Sequence, residues 1–369
     1  MKIVVTGTRG IPSIEGGVER HCEELYPFIV NEQCEVIVTR RSSYAKNDLI
    51  EYKGVKIKNI WTPRNKYVEA ILHTFFSVIY ARCVHADLIH IHAIGPALCA
   101  PFARLLGMRV VVTHHGADYE REKWGVFAKK MLRLGEKYAI RYSNKLIAIS
   151  NSILYSVKNK APNQNNFVLI PNGITSFSKD TNVGYLAKLG LDGKPFLLAV
   201  GRLVEEKKFS KLIEVFRMID NSDLHLIIAG TSTGKQGYFR QLKMLAEGDE
   251  RIHLVGHVNY KELAELYKYT RLFILPSSHE GLPIALLEAM SFGCPVLVSD
   301  IEAHLEMELP EGNYFKCDDE DSLRDGIERN LCSDLSVHIQ YDLSKYDWRS
   351  IARATKDVYE SLFTELRIK

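Results

Sequence analysis

Residues 278–290, with the sequence SHEGLPIALLEAM, join a predicted strand to a predicted helix and carry two glutamates eight positions apart. The preceding residues 271–276, RLFILP, are typical of a buried strand, and the apolar spacing from Ile284 onward predicts the helix. Proline near the helix start and free amides in the turn favour an anion such as a diphosphate. Glu280 lies at the turn and Glu288 about two turns into the helix, so they can hold hydroxyls at opposite ends of an extended ligand. A helix cap with a solvated glutamate is less favoured, because anion-binding patterns recur at other strand ends.

The composition indicates a globular chain large enough for two hydrophobic cores. It has 369 residues, 46% of them hydrophobic, and its net charge of +3 is too small to indicate nucleic-acid binding. The seven cysteines lack Cys-x-x-Cys spacing, so we expect reduced thiols rather than disulfides or a zinc finger. Residues 2–6, KIVVT, predict a strand rather than a signal peptide, and no apolar run reaches the roughly 18 residues of a membrane span. We therefore expect a cytoplasmic protein, and contact with a membrane surface stays open.

Apolar strand patterns alternate with helical patterns along the chain, which predicts the α/β class with parallel sheets covered by helices. In the first half the predicted strands are 3–6, 36–39, 88–91, 110–113, 146–149 and 168–170. In the second half they are 196–200, 224–229, 252–254, 272–275 and 296–299. Residues 171 to about 193 are rich in Asn, Gly, Ser, Thr and Lys, and we predict the domain linker there. Each of the two doubly wound domains should bind ligands at the carboxyl ends of its strands.

Glycines follow the first predicted strand in the run GTRG, residues 7–10, and again at Gly16 and Gly17 before a helix. Glycine lets the backbone approach a phosphate or sugar closely, and the helix start adds a favourable field. A dehydrogenase fits poorly, because the Gly-x-Gly-x-x-Gly fingerprint is missing and residues 39–41 read TRR where an acidic residue is needed. A glycine-rich turn without a ligand stays open as the alternative.

Two cations follow the first predicted strand of the second half. Arg202 and Lys207 lie five residues apart, where a planar guanidinium and a flexible ammonium can converge on one diphosphate. The neighbouring Glu205 and Glu206 keep a solvated loop open as the alternative.

Two patterns could indicate a metal site. His90 and His92 alternate onto one face of a predicted strand, but no cysteine or obvious carboxylate completes a ligand set. Residues 319–321, DED, match an Asp-x-Asp metal-diphosphate signature, yet they precede a predicted helix and are better explained as its acidic cap. We therefore expect no metal.

A basic helix is predicted from 129 to 145. Lys130, Arg133, Lys137 and Arg141 recur at steps of three and four residues and therefore share one face. Such a face can rest on anionic lipid or guide a lipid-diphosphate acceptor, and an ordinary solvated face explains it equally well.

The Glu-x7-Glu pattern within residues 278–290 resembles the motif of retaining glycosyltransferases of the GT-B fold, in particular family 4. Residues 1–124, with GTRGIP and the later Gly-Gly turn, resemble the first domain of bacterial polysaccharide glycosyltransferases, and residues 197–300 resemble the family's donor-binding domain. The resemblance implies two doubly wound Rossmann-like domains facing a central cleft. Residues 1–173 plus 348–369 would bind the acceptor, and residues 174–347 the nucleotide sugar. The final helix, from 348 to about 366, would cross back to the first domain.

The resemblance also implies roles for particular residues. The donor-binding residues would be Gly16, Gly17, Arg202, Lys207, Glu280, Gly281, Leu282 and Glu288. The catalytic residues would be His115, Glu280, Arg202 and Lys207.

Within that set, Glu288 would bind the ribose and Glu280 the 3-hydroxyl region of the sugar. His115 would contact the transferring sugar, while its neighbour His114 is expected to be structural. The family has a glycine after the phosphate-binding lysine, whereas this chain has Lys208, and we assign Lys207 to the phosphate by its spacing.

The implied function is metal-independent, retaining transfer of a hexose or N-acetylhexosamine from a nucleotide-diphosphate sugar, with a UDP-sugar preferred. The acceptor would be a polyprenyl-diphosphate-linked or other glycan of bacterial surface polysaccharide synthesis, at the inner face of the cytoplasmic membrane. No cofactor and no nucleic-acid partner are expected. Two alternatives stay open: a GT-B sugar-nucleotide epimerase, and a non-catalytic GT-B subunit of a polysaccharide assembly complex.

Overall fold

The computed structural model of the chain describes residues 1–14, 16–45, 49–63, 65, 68–120, 125–174, 183–232, 237–332 and 339–364. The chain divides into two compact units, Met1–Gly173 with Ser344–Lys369, and Ile174–Leu343. The chain returns to the first unit at Ser344, whereas the sequence predicted its return at residue 348. Each unit contains one largely parallel sheet with helices, which confirms the expected α/β class.

The strands of the first unit are β1 (Lys2–Thr6), β2 (Glu35–Arg41), β3 (Glu51–Tyr52), β4 (Val55–Ile60), β5 (Leu88–His92), β6 (Arg109–His114), β7 (Lys145–Ala148) and β8 (Phe167–Leu169). Its helices up to the linker are α1 (Gly17–Ile29), α2 (Glu69–Cys83), α3 (Ala100–Leu105), α4 (Val126–Tyr142) and α5 (Asn151–Lys160). The described strands form one sheet in the order β3-β4-β2-β1-β5-β6-β7-β8, parallel except for the β3–β4 pair. The strand order reverses at β1, between β2 and β5.

Alternate residues of β1 point into two different cores, as the two-residue period of a strand requires. Ile3 and Val5 pack with Tyr26 of α1, whereas Val4 packs on the other face with Val78 of α2. A parallel sheet that is covered on both faces needs apolar side chains at successive positions, which explains the uninterrupted run IVV in β1.

The strands of the second unit are β9 (Phe196–Val200), β10 (His225–Ala229), β11 (Ile252–Gly256), β12 (Leu272–Leu275), β13 (Val296–Ser299) and β14 (Tyr314–Phe315). Its helices are α6 (Tyr185–Lys188), α7 (Phe209–Arg217), α8 (Gly237–Ala246), α9 (Tyr260–Tyr269), α10 (Ile284–Ser291), α11 (Glu302–Leu305) and α12 (Glu320–Cys332). The described strands form a parallel sheet in the order β11-β10-β9-β12-β13-β14. The order reverses at β9, in the same way as at β1.

The last helix, α13 (Trp348–Thr364), belongs to the first unit, as the resemblance implied. Its buried residues Trp348, Ile351 and Tyr359 lie in the same core cluster as Ile3. Leu366, which the sequence assigned to this helix, lies outside the described residues.

Glycine allows close backbone contact at the edge where the strands end. Gly7 follows β1 with a φ of +95°, and a Cβ there would overlap the carbonyl oxygen of His92 at the end of β5. Gly230 follows β10 with a φ of +154°, and a Cβ there would overlap the carbonyl oxygen of Gly201. Both positions therefore require glycine for two reasons, the positive φ and the lack of space.

Gly135 provides a test of packing in the first unit. It lies inside α4 against the backbone of Ile94, and a Cβ there would overlap the carbonyl oxygen of that residue. We expect Gly135→Ala to lower the free energy of unfolding by about 1–3 kcal/mol, because the helix must move away. Gly237→Ala in α8, where a Cβ meets no atom of the described residues within 4 Å, is the matched control and should not destabilise the protein. Urea unfolding followed by circular dichroism measures both, and equal stabilities would contradict the close contact.

Candidate active site

The second unit gathers several of the sequence-predicted residues at one edge of its sheet. Arg202 follows β9 and is partly buried, and Lys207 ends a short 3-10 turn, Glu205–Lys207, just beyond it. Glu280 lies in the loop between β12 and α10, and β12 is the neighbour of β9. Because parallel strands end at the same edge, residues far apart in the sequence meet where the strand order reverses.

Glu280 is held by an ammonium group and a hydroxyl. Lys207 Nζ donates to Glu280 Oε1, and Ser277 Oγ donates to the same oxygen at 2.8 Å. The side chains of both Lys207 and Glu280 are only 12% exposed. Burial by itself raises the pKa of Glu280, but the charge of Lys207 opposes it, and the net pKa is below its usual value. Glu280 is therefore a carboxylate anion at neutral pH.

The structure separates the two adjacent lysines that the sequence left ambiguous. Lys207 pairs with Glu280, whereas Lys208 pairs with Asp318, with 3.6 Å between Lys208 Nζ and Asp318 Oδ1. Lys208 also has a φ of +52°, a left-handed conformation that glycine adopts more easily. The left-handed backbone at this position explains why the family pattern has a glycine there. The ammonium group that pairs with Glu280 is that of Lys207.

Glu288 is buried in α10 rather than exposed on its surface. It is 2% exposed, and its Oε2 accepts a hydrogen bond from the hydroxyl of Tyr267 at 3.0 Å. The helix begins at Ile284, so Glu288 lies just over one turn into it, and the predicted two turns were wrong. A buried carboxylate needs hydrogen-bond donors, and Tyr267 of α9 supplies one that the sequence analysis missed.

The turn before α10 contains Gly281 and Leu282. Leu282 is 7% exposed, and Pro283 is the N-cap residue of the helix. Among the hydrogen bonds that the described residues make, none is donated by the backbone amides of Gly281 or Leu282. Two amides at a helix start, next in sequence to the Lys207–Glu280 pair, suit an anionic group.

A chain of hydrogen bonds connects the histidines at the strand ends of the first unit. His115 Nε2 lies 2.9 Å from His92 Nδ1, and His92 Nε2 lies 2.6 Å from the hydroxyl of Tyr26. That hydroxyl is also 3.0 Å from His90 Nδ1, and His90 Nε2 lies 2.7 Å from Thr113 Oγ1. His115 is partly exposed, while His90 and His92 are fully buried, so the chain leads from the surface into the core.

His21 of α1 joins His92 and His115 in a group that we call the histidine cluster. One ring nitrogen from each of these residues lies within 4.8 Å of the other two. His21 is 3% exposed and packs edge-on against Trp348, with 5.5 Å between the ring centroids. The sequence considered His90 and His92 as metal ligands. The structure instead brings His92 together with His21 and His115, which lie on three separate elements.

Burial keeps these imidazoles neutral. It lowers the pKa of His21 to about 4 and that of His90 to about 3, and it lowers the pKa of His92 and His115 well below the usual value. A neutral imidazole has one donor nitrogen and one acceptor nitrogen. If His115 accepts from His92 at Nε2, its proton is on Nδ1, and the ring can donate one directed hydrogen bond to a ligand.

His114 is structural, as expected. Its Nδ1 accepts from the amide of Gly116 at 3.2 Å, so its proton is on Nε2, which donates to Glu136 Oε1 at 3.0 Å. Lys160 Nζ donates to the other oxygen of Glu136 at 2.8 Å. This network holds the turn on which His115 lies.

Comparison with known proteins adds independent information. The glycosyltransferase family 4 model matches residues 15–176, and the model for glycosyl transferases group 1 matches residues 185–339. An uncharacterized glycosyltransferase of Methanocaldococcus jannaschii is 26% identical, with 98% of each chain covered. The structure of Anabaena HepE in complex with UDP and glucose superposes with a TM-score of 0.77 at 18% identity, covering 98% of this chain and 100% of that one. The chain belongs to the family 4-like GT-B glycosyltransferases.

A second relative of this glycosyltransferase has a named substrate pair. It is the UDP-Gal:alpha-D-GlcNAc-diphosphoundecaprenol alpha-1,3-galactosyltransferase of Escherichia coli, which is 26% identical, with 82% of this chain and 81% of that one covered.

The two glycines at the start of α1 in the glycosyltransferase have different surroundings. Gly16 has a φ of +144°, and a Cβ there would overlap the carboxylate of Glu19, which accepts from the amide of Arg9 at 3.0 Å. Gly16 is therefore required by the local fold. Gly17 begins the helix, and a Cβ there would meet no described atom within 4 Å, so it faces open space.

The acidic run 319–321 caps a helix, as the sequence predicted. Asp319 Oδ1 accepts from the amide of Ser322 at 3.0 Å, and Asp321 pairs with Arg324 at 2.9 Å. Both carboxylates thus have local partners at the start of α12.

The adjacent lysines of the glycosyltransferase allow a matched stability test. We expect Lys207→Met to lower the free energy of unfolding by about 1–3 kcal/mol, because it leaves the charge of Glu280 largely buried without its cation. Lys208→Met should cost less than about 1 kcal/mol, because the side chain of Asp318 is 51% exposed. Urea unfolding of both variants measures the difference. Equal losses would mean that the Lys207–Glu280 pair contributes no more than an exposed pair.

Proposed function

We propose that this glycosyltransferase transfers a hexose or N-acetylhexosamine from a UDP-sugar to a polyprenyl-diphosphate-linked or other glycan acceptor in bacterial surface polysaccharide synthesis, with retention of configuration. The observation that carries the proposal is the Lys207–Glu280 pair, next in sequence to the amides of Gly281 and Leu282. The relative that uses UDP-Gal and a diphosphoundecaprenol acceptor, and HepE in complex with UDP and glucose, support these substrate classes.

The donor diphosphate would lie where cations and amides converge. The ammonium of Lys207 has three N–H donors, of which Glu280 uses one, so the others can reach phosphate oxygens. Arg202 would add a planar pair of donors, and the amides of Gly281 and Leu282 would complete the set. Preorganised donors of this kind commonly contribute about 3–4 kcal/mol each to stabilising developing charge. No metal would be needed, because protein groups neutralise the leaving diphosphate.

The two glutamates would hold the ends of the donor. Glu280 would accept from the 3-hydroxyl region of the sugar while it also positions Lys207. Glu288 would accept from the ribose hydroxyls, with Tyr267 orienting its carboxylate from the other side. His115 would donate to a hydroxyl of the transferring sugar.

Retention would result from attack on the same face that the leaving group departs from. A bond would form between the acceptor oxygen and the anomeric carbon as the bond from that carbon to the phosphate oxygen breaks. The departing phosphate oxygen would take the proton of the acceptor hydroxyl, so a separate protein base is not required.

A direct test begins with a thermal-shift panel of nucleotide sugars, followed by transfer assays with a synthetic polyprenyl-diphosphate sugar acceptor. Stabilisation by a UDP-sugar and an extended lipid product with the anomeric configuration of the donor, read by NMR, are expected. An epimerised sugar nucleotide formed without acceptor would favour the epimerase instead. Binding without any transfer across the acceptor panel would favour a non-catalytic subunit.

The ribose role of Glu288 predicts a change in nucleotide affinity. Glu288→Ala should weaken UDP binding by about 1.5–3 kcal/mol, because a hydrogen bond to a charged acceptor is lost. Tyr267→Phe is the matched control, since it removes a hydroxyl from the same carboxylate and should have a smaller effect. Isothermal titration calorimetry with UDP measures both, and an unchanged affinity in Glu288→Ala would reject the ribose role.

The role of His115 separates catalysis from nucleotide binding. His115→Ala should lower kcat/KM for transfer at least tenfold, which corresponds to about 1.4 kcal/mol of lost transition-state stabilisation. Its affinity for free UDP should change little, because UDP lacks the sugar. His114→Ala, which breaks the bond to Glu136, provides the comparison for an indirect effect on the turn. Near-parental transfer by a folded His115→Ala variant would remove this residue from the site, and loss of UDP binding would move it to the phosphate pocket.

The basic face of α4 would bring the enzyme to its lipid-linked acceptor. Lys130, Arg133 and Lys137 are exposed, and Val126 and Phe127 at the start of the helix are 76% and 78% exposed. Exposed apolar residues beside a basic stripe suit the surface of an anionic bilayer. Across the described part of the chain, no helix combines the length and the apolar character needed to span a bilayer. The contact that we propose is peripheral, at the inner face of the cytoplasmic membrane.

Replacing Lys130, Arg133 and Lys137 by Gln should reduce pelleting with anionic vesicles, by about 1 kcal/mol per charge near the surface. The matched control replaces Lys243, Lys261 and Lys268, three exposed lysines of α8 and α9, and removes the same charge from the second unit. Co-sedimentation with vesicles of phosphatidylglycerol measures both. Equal pelleting of the two triple variants would leave only the solvated-face interpretation of α4.

A further inference from the structure

We propose that the histidine cluster, His21, His92 and His115, is a binding site for a divalent transition metal of the zinc class. One ring nitrogen from each residue lies within 4.8 Å of the other two. The three rings come from α1, from the end of β5 and from the turn after β6, so the fold and not a local sequence motif brings them together.

The chemistry of the donors defines the class of metal. Three imidazoles suit Zn²⁺, Cu²⁺, Ni²⁺ or Co²⁺, whereas Mg²⁺, Ca²⁺ and Mn²⁺ prefer oxygen donors. Tetrahedral bonds of about 2.0–2.1 Å place neighbouring nitrogens roughly 3.4 Å apart. His92 Nδ1 and His115 Nε2 are 2.9 Å apart, and the largest separation in the cluster is within 4.8 Å, so small ring movements suffice. His115 is partly exposed on a turn, which provides both that movement and a path for the ion.

Protons can rearrange within the cluster without leaving it. The contact between His92 Nδ1 and His115 Nε2 contains one proton, which must vacate this position when the metal binds. It can move to the other nitrogen of whichever ring carries it, so both rings stay neutral and no proton is lost. In His92 that nitrogen is Nε2, which can then donate to the hydroxyl oxygen of Tyr26 at 2.6 Å. Tyr26 can in turn donate to His90 Nδ1 at 3.0 Å, and it thereby orients the ligand ring from behind.

A consequence for activity follows if the proposed function is correct. The metal would hold the ring of His115 through Nε2, and the ring movement that this requires would take its Nδ1–H away from the transferring sugar. A zinc-class metal should therefore inhibit a transfer reaction that itself needs no metal, and a chelator should restore it.

The experiment is a titration of the tag-free protein with Co²⁺, followed by the visible absorption of the bound ion and by competition with Zn²⁺. His21→Asn removes one ligand from the buried side, and His115→Ala removes one from the exposed side. The chain also offers a matched control in the second unit, where His225 Nδ1 and His253 Nε2 are 3.1 Å apart. His253→Asn breaks this pair, whose nitrogen–nitrogen distance is similar to that of His92 and His115, and leaves the cluster unchanged.

We expect Co²⁺ absorption bands at one equivalent, at least tenfold weaker binding in His21→Asn and His115→Ala, and no change in His253→Asn. Bands that are missing in the parent, or lost only in His253→Asn, would overturn the proposal. If circular dichroism shows that His21→Asn does not fold, His115→Ala still tests the metal site, because it removes the ligand on the exposed side of the cluster.

The transfer assay distinguishes this proposal from the proposed function. In EDTA, His21→Asn should transfer at a rate within about twofold of the parent, and it should resist one equivalent of Zn²⁺ that inhibits the parent at least tenfold. Co²⁺ binding at the cluster without inhibition would support the metal site and reject the inhibitory movement of His115, because its Nδ1–H would still reach the sugar. Loss of transfer in His115→Ala without metal binding to the parent would reject the metal site and support the contact of His115 with the sugar.

Discussion

Parallel strands end at one edge of a sheet, and the positions of the candidate site residues in both units depend on this constraint. In the first unit β1, β5 and β6 run side by side, so Gly7, His92 and His115 come together from distant parts of the chain. In the second unit β9 and β12 do the same for Arg202 and Glu280. The contact between Gly7 and the carbonyl of His92 shows how closely these ends approach, since no side chain fits there.

Burial has opposite electrostatic consequences in the two units. In the second unit it would neutralise Glu280, but the ammonium of Lys207 keeps the carboxylate charged. In the first unit burial and neighbouring histidines lower the pKa of His92 and His115, so these rings stay neutral. The result is a charged pair in one unit and a neutral group of hydrogen-bonding nitrogens in the other.

Supporting residues explain why the candidate side chains keep their positions. Ser277 shares Glu280 Oε1 with Lys207, and Tyr267 binds the carboxylate of Glu288. Tyr26 holds His92 from the core side. Ser277 and Tyr267 donate to carboxylates that would otherwise be buried at a cost, and all three hydroxyl groups restrict the rotation of the residues that would face a ligand.

Much of the fold could be predicted because its signals are local. Runs such as KIVVT at 2–6 and LFIL at 272–275 indicate buried parallel strands without any knowledge of their partners. The sequence missed β4, in which lysines interrupt the apolar pattern, and the edge strand β14, which has only two residues. Both strands are recognised only by their pairing with a neighbouring strand. The capping role of 319–321 was predicted correctly, because a helix cap involves residues only a few positions apart.

The sequence by itself therefore determined the α/β class, most strands, and through its Glu-x7-Glu motif the glycosyltransferase family. Tertiary structure alone decided that Lys207 rather than Lys208 accompanies Glu280, and that His21 rather than His90 joins His92 and His115. The physical reason is distance along the chain. Spacing patterns report neighbours within one helix or strand, whereas these contacts join residues from different elements that only the packed sheet brings together.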